Sequence, residues 1–331
     1  FNTLQALKTV SRFPWVYFVF AAISLFVLGN FIFQFTVGEE GGRVLSRPKS
    51  YAFGFLIAIL TFKIITIIFL FSEDIFRFIA AGYHKFYGTD REVSLPERRR
   101  FLSLIAMGIA AIPFGSLLYG MYRGKYNFKV LKYQMEYEDL PPAFDGYQIT
   151  QISDIHSGSF DNRKKIEYAV DLINKQKSDV IFFTGDMVNN KADEMKPWAE
   201  LFSSLKAADG KYSILGNHDY GDYIKWNSEE DKSQNLEDLK ILQRDIGFDL
   251  LLNENRFIEK NGQRIALIGV ENWGKGGFKK AGDLKKASDQ IDKDDFKILM
   301  SHDPSHWDEE VVTDAYHYHL TLSGHTHGMQ F

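Results

Sequence analysis

The sequence predicts an apolar α-helical region followed by a layered α/β domain, and three observations carry that prediction. Hydrophobicity is uneven along the 331 residues: positions 1–125 hold long uncharged runs dense in Phe, Leu and Ile, whereas 126–331 mix charge with short apolar segments. Within the second part, β-branched or aromatic runs alternate with helix-period stretches, as a layered α/β domain requires. Five of those apolar runs end in Asp, Asn or His. The change in composition marks a domain boundary, with a transmembrane region over 1–125 and a soluble domain over 126–331. With 45% hydrophobic and 15% aromatic residues the chain can bury a core.

Three spans follow from the apolar runs. Phe13–Val37 carries no charge, and at about 1.5 Å per residue it exceeds a hydrocarbon core of roughly 30 Å. Residues 51–72 contain one charge, Lys63, and 101–122 contain none, with Pro113 inside. A charge at mid-membrane costs at least about 2.5–3.5 kcal/mol, so Lys63 reads either as an intramembrane functional site or as a side chain that snorkels or packs on a neighbouring helix. The chain is thus expected in the cell membrane as a multi-pass protein. Lys and Arg are nearly balanced between the two sides of the spans, so orientation rests on a local pattern. Arg98-Arg99-Arg100-Phe101-Leu102, ahead of a moderately apolar stretch, resembles a twin-arginine export signal. The positive-inside rule orients that helix the same way, which puts the soluble domain outside the cytoplasm and makes export machinery a partner.

A net charge of −4 and a pI near 6.2 leave no basic footprint for nucleic acid. The absence of cysteine excludes disulfides and thiolate ligands, so any metal must be held by nitrogen and oxygen. Residue 1 is Phe rather than Met, and the chain stops at Phe331, four residues after His327. A fragment of a longer protein is expected at both ends.

In the second part, strands are expected at 147–153, 179–184, 211–215, 263–270, 296–301 and 318–323, and helices over 162–177, around 195–207 and within 235–246. Directly after five of these strands come Asp154-Ile155-His156, Gly185-Asp186, Gly216-Asn217-His218-Asp219, His302-Asp303 and Gly324-His325-Thr326-His327. Ligands in open α/β sheets bind beyond the carboxyl ends of strands, so these residues would converge on one rim. Five of the nine histidines fall there, and His84, His306, His317 and His319 lie elsewhere. A lone Asp-x-His is more often a turn or cap, and Gly-Asp is commonplace. Imidazoles at buried strand ends are costly without a partner, and their recurrence in order points to a shared ligand. Aspartate, imidazole and a neutral Asn carbonyl suit Mn, Fe or Zn.

On this motif set, D-x-H, G-D, G-N-H-D, H and G-H-x-H, residues 145–331 resemble the calcineurin-like metallophosphoesterases, and the whole chain resembles their membrane-anchored bacterial-type branch. The resemblance implies a four-layer α/β sandwich with a dinuclear metal site at its rim. It implies one metal on Asp154, His156, Asp186 and His327, and a second on Asp186, Asn217, His302 and His325, with Asp186 bridging. Two divalent ions about 3.5–4 Å apart lower the pKa of a shared water, so a metal-bridging hydroxide would attack phosphorus in a phosphoester substrate. His218 would protonate the leaving group or stabilise the transition state, and Asp219 would orient its ring or cap a helix.

Two departures from the family pattern bear on substrate and support. Met329 stands where relatives often carry a second glycine after G-H-x-H-G, and the further strands with which relatives continue are missing, so the domain is expected to be truncated at its C-terminus. Trp273-Gly274-Lys275-Gly276-Gly277 reads either as a phosphate cradle or as a mobile loop. Within the enzyme class, a lipid-linked pyrophosphate of the UDP-diacylglucosamine type is an alternative substrate to a simple phosphoester. Outside it, a membrane scaffold or sensor with a structural metal site is the competing reading, against which the non-ligand His218 speaks.

Overall fold

The computed structural model describes residues 2–11, 13–37, 47–87 and 96–327. They fall into two compact units that meet in sequence at Phe128 and Lys129. Gly328, Met329 and Phe331 lie outside the described residues, as do Arg12, Arg43 and Arg91 among the basic flanks of the spans.

The first unit is helical: α1 (Asn2–Val10), α2 (Trp15–Thr36), α3 (Arg47–Tyr87) and α4 (Pro96–Tyr122). The last three are each long and apolar enough to cross a membrane. Phe18, Phe26, Ile68, Phe71 and Ile112 point outward and exposed, an arrangement suited to lipid rather than water. Inside, Phe62 packs against Phe20 and Phe114, and fully buried Ala58, Ala106 and Ala110 let the helices approach closely. The ammonium of Lys63 lies 5.7 Å from the Phe20 ring centroid, which is the packing alternative for that residue. Two features differ from expectation. α3 runs on past residue 72 through Glu73, Asp74 and Arg77, and its 41 residues reach about 60 Å at 1.5 Å each. α1, too short to register as an apolar run, packs against the other helices and accepts a 2.8 Å bond from Arg99 Nη2 at Gln5 Oε1.

The second unit alternates strand and helix: β1 (Ile149–Ile152), α5 (Arg163–Asn174), β2 (Val180–Phe183), α6 (Ala199–Ser203), β3 (Lys211–Ser213), α7 (Glu229–Asp245), β4 (Asp249–Leu250), β5 (Glu254–Lys260), β6 (Gln263–Val270), α8 (Leu284–Ala287), β7 (Phe296–Ser301), α9 (Ser305–Glu309) and β8 (Leu320–Leu322). Asn162, Ser228 and Asp283 cap α5, α7 and α8 through their side chains, each worth about 1 kcal/mol. β1 to β4 form an all-parallel sheet in sequence order. In the second sheet, β5 is antiparallel to β6, and β6, β7 and β8 are parallel.

The core lies between the sheets, where Val180 and Phe182 of β2 meet Ile265 and Leu267 of β6 and Ile298 and Met300 of β7. Burying each of the larger side chains stabilises by about 1.5–3 kcal/mol. The alternate residues Ile181 and Phe183 are equally buried and face the other side of their sheet, where Phe183 packs on Phe248. Ile268, Val270 and Leu299 cluster with Leu284 and Ala287 of α8. The order helix, sheet, sheet, helix is a four-layer α/β arrangement.

β4 and β5 were not foreseen. β4 is two residues long, and β5, an edge strand reading ENRFIEK, has too many charges to look apolar. The missed signal is Asn261-Gly262, both with positive φ (51° and 76°), a two-residue hairpin turn joining β5 to β6.

Candidate metal centre

Five of the parallel strands, β1, β2, β3, β7 and β8, lead into the segments where the sequence placed its Asp and His residues. The ladder continues past the strands: the N–H groups of Asp154, His156 and Ser157 donate to the carbonyls of Gly185, Asp186 and Met187, and Gly324 N–H to His302 O. These bonds hold four of the loops in fixed register. Five of the expected ligands then turn into the left-handed region, with φ of 52° at Asp154, 46° at His156, 60° at Asp186, 72° at His325 and 51° at His327. L-residues rarely adopt that backbone, which costs of order 1–3 kcal/mol each and gathers at functional sites.

Glycines precede the ligands because ligands fill the space a side chain would need. A Cβ on Gly216 would fall on Asp186 Oδ1, and one on Gly324 would fall on Ser153 Oγ and Asp154 Oδ2.

The acceptor atoms converge. His156 Nε2 lies 3.2 Å from His327 Nε2 and 3.5 Å from Asp186 Oδ2, and His327 Nε2 lies 3.3 Å from Asp154 Oδ1. Asp154, His156, Asp186 and His327 thereby form a four-residue cluster able to hold a metal ion, with one ligand atom from each within 4.8 Å of all the others. On the other side of Asp186, His302 Nε2 is 3.2 Å from Asp186 Oδ2 and 3.1 Å from Asn217 Oδ1, and His325 Nδ1 is 2.8 Å from the same Asn217 oxygen. All seven residues are therefore brought together, and Asp186 is shared by the two groups. The Asp154 carboxylate also accepts the N–H of His325 at 3.0 Å, tying the first loop to the last.

The electrostatics favour a cation. Burial pushes Asp186 up, yet the imidazoles of His302, His218 and His156 outweigh it and hold the carboxyl well below its usual range. Burial pushes His156 down to about 4 despite the pull of Asp186, keeping the ring neutral as ligation requires. Burial lowers His302 too, but Asp186 overrides it and raises the ring to about 9. His302 Nδ1 donates to Thr184 O at 2.7 Å, so its Nε2 faces two oxygens. Positive charge is drawn to that point, whether a proton or a metal supplies it.

His218 stands beside the cluster, its ring 4.7 Å from that of His156 and perpendicular to it. Its Nδ1 donates to Asn189 O at 2.9 Å, which fixes the orientation of the ring. Asp219, expected either to orient the His218 ring or to cap a helix, places its side-chain hydrogen bonds on backbone N–H groups. Its fully buried carboxylate accepts the backbone N–H groups of Gly216, Asp186, Met187 and Val188 at 2.8–3.3 Å. Burial and the charge of Asp186 push this carboxyl up to about 7, while the backbone donors pull it down. Asp219 thus fastens the loop of Asp186 to that of Asn217.

Two neighbours escaped the sequence reading. Tyr223 OH accepts Asn217 Nδ2 at 2.6 Å, turning Asn217 Oδ1 toward His302 and His325, and its ring lies 4.4 Å from that of His218. Phe278 sets its ring perpendicular to His325 at 4.9 Å. No spacing rule announces either one. The Gly-rich stretch 273–277 is fastened rather than loose: Lys275 N–H donates to Asp303, and Trp273 Nε1 to Glu310. His306 is fully buried between Ser301 and Glu310 under Trp273, and His319 pairs with Asp139 at 2.8 Å, so both serve structure.

Fold and site together define an α/β domain that carries a candidate metal-binding cluster, joined in sequence to an apolar helical region. Residues 147–329 match the family of calcineurin-like phosphoesterases, and 1–125 match the family described as "probable calcineurin-like phosphoesterase, transmembrane domain". The chain belongs to the calcineurin-like phosphoesterases. It is similar to an uncharacterized metallophosphoesterase, YkuE, of Bacillus subtilis, with 29% identity over 70% of this chain and 77% of the relative. A transmembrane protein with metallophosphoesterase domain from Danio rerio is 26% identical over 70% of this chain and 51% of its own length. An uncharacterized metallophosphoesterase of Aquifex aeolicus is 30% identical over 65% of this chain and 76% of the relative. The chain is accordingly a membrane protein and a hydrolase acting on phosphoester bonds, of a family that uses divalent metals.

Proposed function

We propose that residues 126–331 form a dinuclear phosphohydrolase domain, anchored by residues 1–125. Asp154, His156, Asp186 and His327 would hold one divalent ion, and Asp186, Asn217, His302 and His325 the other, with Mn, Fe or Zn as candidates. The observation that carries this reading is the sharing of one Asp186 carboxylate by two sets of convergent acceptors. The donor set fits: Tyr223 takes up the Asn217 amide N–H, and the Thr184 carbonyl takes the His302 Nδ1 proton, so an oxygen and a nitrogen lone pair face the same point. When bound, two such ions polarise phosphoryl oxygens and lower the pKa of water toward neutrality.

The chain's own residues do the rest. Asp186, low in pKa and buried, stays ionised and keeps the two ligand sets in register. His218, oriented through Nδ1 by Asn189 O, presents Nε2 to the substrate and delivers a proton to the departing oxygen. Removing it should cut kcat about 10²- to 10⁴-fold. The test is His218→Ala in the full chain, with phosphoester turnover and metal content measured together. Turnover lost with metal retained supports the role, and unchanged turnover refutes it.

The domain is placed outside the cytoplasm on the strength of Arg98-Arg99-Arg100 ahead of α4. A reporter active only in the cytoplasm, fused after Tyr122, would be silent, and its activity would overturn that orientation.

A further inference from the structure

His218 is held by a peptide, and that peptide is held by a carboxylate. The ring's Nδ1–H donates to the carbonyl of Asn189 at 2.9 Å. The N–H of the same peptide unit belongs to Asn190 and donates to the side chain of Glu194. Two more donors converge on that side chain: Asn189 N–H reaches Oε2 at 2.6 Å, and Lys191 N–H reaches Oε1 at 3.2 Å. Three consecutive N–H groups on one carboxylate call for its ionised, acceptor-only form. The phosphohydrolase reading so far gives Glu194 no role.

The surroundings are shaped to this group. Glu194 is partly buried, and a Cβ on Gly158, two residues after His156, would collide with Glu194 Oε2 and Asn189 Nδ2. Asn189 Nδ2 also donates to Ser159 Oγ at 3.1 Å, which joins the loop of Glu194 to the loop of His156. From the other side Asn235 of α7 clamps the same turn: its Nδ2 donates to Asn190 O at 3.0 Å, and its Oδ1 accepts Ala192 N–H at 2.9 Å. The turn is therefore fastened by more than Glu194. A capping box would use the N–H of Lys191 alone, and here those of Asn189 and Asn190 are drawn in as well.

Hydrogen bonds in a chain polarise one another, and a peptide is a conjugated link between its N–H and its C=O. A carboxylate pulling on Asn190 N–H raises the electron density at Asn189 O. That oxygen then holds Nδ1–H more tightly and fixes the ring while Nε2 gives its proton to the leaving oxygen. Asp219 does not fill this place, since its oxygens are taken up by four backbone N–H groups.

We propose that Glu194 is the positioning residue of His218, acting through the Asn189–Asn190 peptide. The proposal rests on the role of His218 given above and adds the group that orients it. The full chain, loaded with Mn, is assayed as Glu194→Gln, His218→Ala and the double variant on two esters. Phenyl phosphate has a leaving oxygen that needs a proton, and p-nitrophenyl phosphate has one that needs it far less. Glu194→Gln should lose about 10- to 100-fold in kcat on phenyl phosphate, with KM and metal content unchanged and a much smaller loss on p-nitrophenyl phosphate. In the His218→Ala background it should cost nothing more, since the two residues act as a unit. An equal loss on both esters, a loss that multiplies with that of His218→Ala, or no loss on phenyl phosphate overturns the positioning role and leaves His218 its own. Full turnover in His218→Ala overturns the reading of His218, and this proposal with it. A readout without turnover is the Nδ1–H proton resonance of His218 in chain carrying isotope-labelled histidine. It should move upfield in Glu194→Gln as the bond to Asn189 O weakens, and an unmoved resonance also overturns the proposal.

Discussion

Asp219→Asn separates two roles for this residue that the sequence alone could not distinguish. The carboxylate accepts four backbone N–H groups, two on each oxygen: Gly216 and Asp186 on Oδ2, Met187 and Val188 on Oδ1. An amide keeps one oxygen and turns an NH₂ toward the other pair. Two bonds to a charged acceptor are lost, at about 1.5–3 kcal/mol each, so the loss is roughly 3–6 kcal/mol. Against a typical total stability of about 5–15 kcal/mol this is severe, and it acts where the Asp186 and Asn217 loops join. Local opening at these amides should therefore increase by about 10²- to 10⁴-fold. The assay is hydrogen exchange by mass spectrometry on the full chain, with metal content measured in parallel. Exchange should rise over 186–188 and at 216, and metal retention should fall. Full protection and full metal content, together with a displaced pH profile of turnover, would refute the reasoning and return Asp219 to the role of ring orienter.

Other expected outcomes follow from the same contacts. Tyr223→Phe frees the Asn217 amide to rotate, so metal affinity should drop about 10- to 100-fold in titration while the fold persists. Gly324→Ala drives a methyl onto Ser153 and Asp154; a loss of about 1–3 kcal/mol and reduced metal content are expected in melts and metal analysis. His319 anchors the segment that leads into the domain: Nδ1 accepts the Lys297 N–H, and Nε2–H donates to Asp139. Burial holds this imidazole below its ordinary 6.5, so its neutral form is the stabilising one. Its contribution is complete above 6.5 and is lost as pH falls through the lower folded value. Asp139, held below 3.8 by its bond to His319, gives way later in the same direction. Exchange over 136–140 should accordingly rise on acidification in the wild type, and a flat response in His319→Gln would confirm the source.

Much of the architecture was legible because it depends on local pattern. Apolar runs longer than a bilayer marked α2, α3 and α4, and strand-end Asp and His residues marked the rim, since parallel strands deliver their carboxyl ends to one side. What escaped had no local pattern. β5 looks charged because it is an edge strand, β4 is too short, and α3 continues past its apolar run because Glu73, Asp74 and Arg77 are tolerated in a helix. Tyr223, Phe278 and the four bonds of Asp219 are contacts between segments, invisible to spacing.

By itself the sequence determined which side chains were available for chemistry and in what order the strands present them. Hydrophobic period and residue type are properties of neighbours along the chain. Only the tertiary structure decided that Asp186 stands between two groups of convergent Asp, Asn and His side chains, and that five of these residues adopt left-handed backbone. Those facts depend on loop register and helix packing, where a contact is set by distance in space between residues far apart in sequence.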